Sequence, residues 1–301
     1  MPFTVSHAVV ALPFVRTPLI PAAIAIGAMT PDLPLFVRML VPSYARTHDL
    51  AWLPVTILLA LALLLVWRCV LRPASRALVP AFIAERLPSE WDAGAAAALR
   101  ETFGIVPVEG RVTSTSTSTS TSTSTSTSTS TGTDTRTRTR WHGSFRAIAL
   151  LVISLALGVA THIAWDLFTH EGRIGTDLIP ILDQMWGPLA GFKWLQHGSS
   201  VLGLLILAIW GAYWLAAHPR TPHLPRVAGW VRVSWWISLP VLLLGAWLWG
   251  MTAFGPFTSE WTVQHLAYRV PPPASAAFGI LTLALCIAVQ LASRRNQRDA
   301  R

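Results

Sequence analysis

Residues 161 to 170 read Thr-His-Ile-Ala-Trp-Asp-Leu-Phe-Thr-His, at the end of an apolar run that begins near Ala147. His162, Asp166 and His170 recur every fourth residue. On a helix this spacing places three side chains along one face, each about 6 Å further along the axis. A carboxylate and imidazoles facing one way are metal-ligand chemistry, suited to zinc or a similar divalent ion. The stripe lies at the edge of what reads as a membrane span, where ionisable groups are costly and usually functional.

The rest of the composition says what must carry that stripe. Of the 301 residues, 52% are hydrophobic and only 12% charged, too little charge to cover a soluble protein of this length. The chain reads as an integral membrane protein whose main partner is the lipid bilayer. Its formal net charge of +9 comes almost entirely from arginine, Lys193 being the only lysine. Those arginines fall between apolar runs, as the positive-inside rule expects, so no nucleic-acid partner is expected. Cys69 and Cys286 form no Cys-x-x-Cys pair and lie within apolar runs, which argues against a cysteine zinc site or a disulfide framework.

The elements follow in order. Pro13, Pro18 and Pro21 interrupt the apolar stretch before residue 29, and no basic residue precedes it, so neither a signal peptide nor a straight span fits. The expectation is a bent helical hairpin in or on the membrane. Gly27-Ala-Met-Thr-Pro-Asp-Leu-Pro34 then makes a turn around Asp32, and His48 precedes the first long apolar run. Spans are expected at about 52–71, 147–168, 199–217, 233–253 and 276–291. The fold class is therefore all-α: a polytopic membrane helical bundle of about five transmembrane helices plus the bent hairpin. The chain divides into an N-terminal outward-facing ligand segment (1–50), a first span (51–71), a cytoplasmic segment (72–146) and a four-span bundle (147–301). Within 72–146, residues 72–103 read as amphipathic helix. The Thr-Ser and Thr-Arg repeats of 113–140 have nothing to bury and read as a disordered linker. Tryptophans near span ends, such as Trp52, Trp67, Trp141 and Trp230, read as an interfacial belt rather than a binding site.

Charge bias sets the expected orientation. Segment 72–146, loop 218–232 and the tail with Arg294, Arg295, Arg298 and Arg301 hold most of the arginines, so these and the C-terminus are expected in the cytoplasm of a multi-pass cell-membrane protein. Five crossings then put Asp32, His48, the end of the 147–168 helix, His170 and His197 together on the extracytoplasmic side. His7 joins them only if the prolines fold its segment back; a straight helix would leave it about 35 Å from Asp32. His142, His218 and His223 fall on the other side and read as ordinary polar residues. Glu260 and His265 have no motif and read as loop residues.

Met-Pro-Phe-Thr-Val-Ser-His7, Gly27-Ala-Met-Thr-Pro-Asp32, Thr47-His48, the Thr161–His170 block and Gln196-His197-Gly-Ser-Ser200 together resemble an uncharacterised bacterial membrane family, domain of unknown function family 4184. The resemblance covers the chain except the Thr-Ser tract and brings no established activity. More distantly, the order of ligands is similar to membrane-bound metal-dependent hydrolases and to the soluble zinc-dependent phospholipase C and nuclease group. That resemblance implies a ligand set of His7, Asp32, His48, His162, Asp166, His170 and His197. The soluble group closes with His-x-x-x-Glu, whereas here His197 is followed by Val201.

Since His162 and His170 would stand about 12 Å apart on a straight helix, either the helix ends before His170, as Gly172 allows, or two ions are bound. Seven ligands suit one or two ions, two being held roughly 3.5–4 Å apart. Asp166 would bridge or bind one ion. Asp32 is either a ligand or the catalytic base that orients a metal-activated water. Lys193, Arg173 or Arg46 could hold an anionic group. The expected function is metal-dependent hydrolysis of a phosphoester or lipid-like substrate at the outer face. The alternative is a non-enzymatic protein that binds or transports metal, against which stands the apolar character of the inner span halves.

Overall fold

Proline decides the course of the first fifty residues. In the computed structural model, which describes residues 4–37, 40–122, 126–142, 144–222, 227–258 and 261–299, a 3-10 helix Thr4–Phe14 contains Pro13 and ends in a turn. Helix α1 (Pro21–Met29) starts with proline in its first turn, where a missing N–H costs nothing. The two pack on each other as the expected hairpin. The Thr4 hydroxyl donates to the Asp32 carboxylate at 2.8 Å and so ties the start of the chain to the turn at residues 30–32. His223 and Glu260 lie outside the described residues.

Five helices are long and apolar enough to cross a membrane: Leu50–Leu78, Phe145–Thr169, Gly191–Ala217, Gly229–Phe254 and Val263–Ser293. The first contains α2 (Leu53–Val66) and the next three are α4, α5 and α6; α3 is the short helix Ala95–Phe103 between them. The last is α7 (Val263–Arg269) followed by α8 (Pro271–Asp299). In α4, 39% of the apolar window is buried, against 6–17% in the other four. α4 is thus the central element, and the other spans leave most of their apolar surface facing outward. Below the middle of α4, Leu151 and Leu155 pack with Ala23 of α1 and with Ala60 and Leu64 of α2 to form a closed apolar core.

Several boundaries differ from those expected. α5 begins at Gly191, not near Ser199, so His197 lies within its second turn rather than ahead of it. Pro271–Pro273 open α8 instead of closing a loop, again because a first turn needs no amide donors. The first span continues past residue 71 through a π-helical turn, Trp67–Leu71, to Leu78. Gln290 of α8 donates its amide to the Cys69 and Val70 carbonyls, at 3.1 and 3.0 Å, within that turn.

The extension carries Arg68, Arg72 and Arg76 at four-residue spacing, all buried. Each is held by the following segment, which is broken into short helices rather than the single amphipathic helix expected over 72–103. Arg72 grips Glu101 of α3 with two guanidinium nitrogens, at 3.2 and 2.6 Å. Arg68 donates to Thr102 at 3.0 Å, and Arg76 pairs with Asp92 at 2.6 Å. The apolar residues Ala74, Ala77 and Leu78 on the same stretch pack on Cys286 and Val289 of α8.

Where a disordered linker is expected over 113–140, the described backbone forms an antiparallel ribbon, β1 (Val106–Ser122) with β2 (Ser126–His142). Thr119 pairs with Thr129 and Ser120 with Ser128, so the repeat is its own complement. Threonine is β-branched and favours extended backbone, and pairing satisfies amides that an apolar core is not available to shelter.

The bidentate bond from Arg72 holds the Glu101 carboxyl below its ordinary pKa of 4.5. A depressed carboxyl contributes stability that is present above its unfolded value and is lost as pH falls through the folded one. We predict that the anchoring of α3 weakens as pH is lowered below about 4.5, measured as faster amide exchange in 95–103. Glu101→Gln should show the weakened state already at neutral pH and lose that acid dependence.

Candidate metal centre

The ligand candidates converge because two backbones approach without side chains between them. A Cβ on Gly158 of α4 would lie 2.2 Å from the Ile24 carbonyl oxygen, and one on Gly27 of α1 would lie 2.5 Å from the Leu155 carbonyl oxygen. Paired glycines of this kind let membrane helices touch backbone to backbone. One turn beyond Gly158, the approach brings the Ala28 carbonyl to 2.6 Å from Nδ1 of His162. On the far side, Gly203 of α5 approaches the Ser6 backbone, where a Cβ would sit 3.0 Å from the Ser6 oxygen; the 3-10 helix with His7 is pressed inward by that contact.

A short helix, Tyr44–Thr47, delivers His48. The Thr47 hydroxyl donates to the Pro31 carbonyl at 2.8 Å, fixing this helix to the turn that carries Asp32. His48 Nδ1 stands 2.9 Å from the Tyr44 carbonyl. A carbonyl can only accept, so Nδ1 carries a proton in both His162 and His48, and in the neutral rings Nε2 is the nitrogen free to ligate.

The two Nε2 atoms face each other and two carboxylates. His48 Nε2 is 3.2 Å from His162 Nε2 and 3.3 Å from Asp166 Oδ2. His162 Nε2 is 3.5 Å from Asp166 Oδ2 and 3.7 Å from Asp32 Oδ1. His48 Nε2 lies 4.0 Å from Asp32 Oδ1. The residues are nearly sealed, with exposures of 1% for His162 and Asp32, 5% for Asp166, 7% for His7 and 8% for His48. Zinc–nitrogen bonds of about 2.0–2.1 Å in a tetrahedron put ligand atoms roughly 3.3 Å apart, close to the separations here. Two overlapping groups could hold an ion: His7, His162 and Asp166, and Asp32, His48 and His162.

Two atoms of the first group have no partner. His7 Nε2 and Asp166 Oδ1 are buried and unbonded among the described residues. Native interiors leave few such atoms, and an unrecorded cation is one of the ordinary explanations. The His7 ring lies 4.2 Å from that of His162. Burial first, and then His162, push the His7 pKa down to about 4, so His7 is neutral and able to ligate at physiological pH. Burial pushes the Asp32 carboxyl up. Burial and the nearby Asp166 likewise push the Tyr44 phenol up, so it remains a donor to Asp166 Oδ2, at 3.4 Å.

His170 and His197 take other places. α4 ends at Thr169, and His170 has extended backbone (φ −127°, ψ 143°), which resolves the helix-geometry problem in favour of an early helix end. His170 Nε2 is 3.1 Å from the Gln196 amide nitrogen, and its Nδ1 is 3.5 Å from Asp166 Oδ2. The amide nitrogen can only donate, so Nδ1 carries the proton and His170 supports Asp166 from outside the ligand groups. His197 belongs to neither group. Because α5 starts at Gly191, Gln196 is the residue on the inner face, and the next position is turned away by about 100°. Gln196 was legible only as a neighbour of His197. Among the three candidate cations, Arg173 exerts its charge on Tyr44, whereas Arg46 stacks on Trp52 and Lys193 lies over Phe192.

A family profile matches residues 1–106 and 127–289, most of the chain and every residue of the cluster. The chain belongs to the family described as Domain of unknown function (DUF4184). The DUF4184 match skips 107–126, a stretch that includes the start of the Thr-Ser tract at Thr113. No curated protein and no solved structure matches the chain, so the relation to metal-dependent hydrolases rests on the order of residues alone.

Placing the DUF4184 cluster depends on the glycine contact, which sets a test. Gly158→Ala should cost about 1–3 kcal/mol, the range for overpacking, and should separate Ala28 from His162. Gly211→Ala, on a part of α5 with no atom near the added Cβ, should be neutral. Thermal unfolding of the two variants in detergent checks the difference.

Proposed function

We propose that this DUF4184 protein is a metal-dependent phosphoester hydrolase whose His/Asp centre lies at the extracytoplasmic end of the bundle. The observation that carries the metal is the convergence of the His48 and His162 Nε2 atoms on two buried carboxylates. With both rings neutral, acceptors so placed repel one another unless a cation, a proton or a metal ion, sits among them. One zinc ion would take His48, His162, Asp166 and Asp32. His7 Nε2 and Asp166 Oδ1, both bare, mark where a second would be held, with Asp166 shared. Such an ion supplies Lewis acidity, lowering the pKa of a coordinated water and polarising a phosphoryl oxygen.

The protein's own groups do the positioning. The Ala28 and Tyr44 carbonyls hold the two imidazoles in the ligating tautomer, as carbonyl partners of metal-bound histidines commonly do. Thr4, Tyr44 and His170 orient the carboxylates. Arg173, partly exposed beside Tyr44, is placed to bind an anionic substrate oxygen. The extracytoplasmic placement, with the C-terminus in the cytoplasm, is supported by the arginine bias. It is supported too by the buried Arg68, Arg72 and Arg76, which lie toward the other end of the first span.

A protein that transports metal is the competing reading. The packed core of Ala23, Ala60, Leu64, Leu151 and Leu155 along α1, α2 and α4 counts against it, since the Ser154 hydroxyl beside that core is already bonded to the Leu150 carbonyl and the Ile20 amide.

Elemental analysis of the purified protein should find one or two zinc equivalents, absent in the His162→Ala, Asp166→Asn double variant. Wild type should hydrolyse bis(p-nitrophenyl) phosphate and the double variant should not. Thr4→Val, which removes a partner of Asp32, should weaken metal binding roughly 10–100-fold. Equal metal content in wild type and double variant would remove the centre; metal without turnover would favour the non-enzymatic alternative.

A further inference from the structure

We infer that the substrate of this centre is a membrane amphiphile, held by one hydrocarbon chain in a cavity that opens beside His7. This rests on the hydrolase reading above and names its substrate class. The cavity, of about 530 Å³, lies between the 3-10 helix, α4 and α5. Its volume falls within the roughly 300–1,000 Å³ of small-molecule pockets. Val9, Val10, Phe168, Leu202 and Ile206 make its walls apolar.

The polar side chains His7, Ser6, Thr161, Ser199 and Ser200 also line it. His7 is at once a wall of the cavity and a member of a ligand group, so the cavity and the candidate centre share a side chain. Trp165 donates its indole N–H to the Ser199 hydroxyl at 3.3 Å, bridging α4 and α5 beside the cavity. From Ser199 to Ile206 the lining follows α5 for about 10 Å, into the apolar length of the span.

This geometry fits one occupant. Leu202 and Ile206 are 56% and 39% exposed on helices that read as lipid-facing, so the cavity is reached from the bilayer. A wholly apolar guest would leave the polar side chains of the lining, and the wall shared with the candidate centre, unused. A wholly polar guest would gain nothing from the walls. A single acyl or prenyl chain lies along α5 and delivers an anionic headgroup to His7, with the ester to be cleaved at the His/Asp cluster.

The test uses the full chain in phosphatidylcholine nanodiscs with a lysophosphatidic acid that carries a diazirine at mid-chain. Irradiation should label Val9, Leu202 and Ile206 above other outward-facing positions such as Leu244 and Ile280. Ala164→Phe, which fills the cavity from α4 and replaces no ligand residue, should lower that labelling roughly tenfold while metal content stays unchanged. Ile206→Trp, at the lipid-facing end, provides a second blocked variant should the first fail to fold. Labelling spread evenly over all spans, or unaffected in both blocked variants, overturns the inference. The two readings fail separately. Bound metal with no cavity labelling removes the amphiphile but leaves the hydrolase. Cavity labelling without bound metal removes the hydrolase and leaves a lipid-binding site.

Discussion

Two imidazoles whose Nδ1 protons go to backbone carbonyls can meet through Nε2 only by sharing a cation, a proton or a metal ion. His48 and His162 are in that position at 3.2 Å, with Asp32 and Asp166 closing the remaining sides. Burying carboxylates without a compensating charge is strongly unfavourable. Nearly every contact around the cluster makes sense as a means of keeping these acceptors together in spite of that. The hydroxyls of Thr4 and Tyr44 bind the carboxylates, and the Thr47 hydroxyl binds the Asp32 turn to the His48 helix.

The backbone meets the same demand by different means. Gly27 and Gly158 remove the side chains that would hold α1 away from α4, and the proline-broken first segment returns to the same end of the bundle. α4 gains from both, since it is the span most enclosed by protein. The charges at the two ends of the bundle are neutralised in different ways. Arg68, Arg72 and Arg76 have carboxylate or hydroxyl partners from neighbouring segments, so that end is balanced by its own residues. The His/Asp end contains donors for some oxygens but leaves His7 Nε2 and Asp166 Oδ1 bare. Arg68 Nε and Arg72 Nε are also unbonded, but on guanidiniums already paired through their other nitrogens, whereas the bare atoms of the His/Asp end are ones that can bind a cation.

How far the sequence could be read depended on whether register was local. His162 and Asp166 are one helical turn apart, so their shared face needed no tertiary information, and the buried stripe was legible at once. Five apolar runs of adequate length appear as five long helices. The hairpin was legible from Pro13, Pro18 and Pro21, because a straight helix could not contain them. His197 was misplaced because its direction depends on where α5 begins, and eight residues of Gly191-Phe-Lys-Trp-Leu-Gln-His-Gly carry no strong start signal. The same uncertainty hid Gln196. Arg68, Arg72 and Arg76 have as regular a spacing as the ligand stripe, but their partners Glu101 and Asp92 are too distant in sequence to reveal that the helix continues. Gly27 and Gly158 were unremarkable as letters; only the packing shows that neither tolerates a side chain.

The position of the cluster also limits what it could act on. Its ligands are almost sealed from water, and below them the core of Leu151, Leu155, Ala23, Ala60 and Leu64 is closed. The His7 side is different, because there the wall of the cluster is also the wall of a cavity between α4 and α5. A reactive group entering from that side would come from the bilayer, its apolar part matched to Leu202 and Ile206 and its charged part drawn toward a centre able to hold a cation. An enzyme acting on a water-soluble substrate gains little by placing its ligands at the end of a membrane span, where each ionised group must be compensated. The placement is economical if the substrate is itself confined to the membrane, since the span then supplies both the ligands and the route by which the substrate arrives.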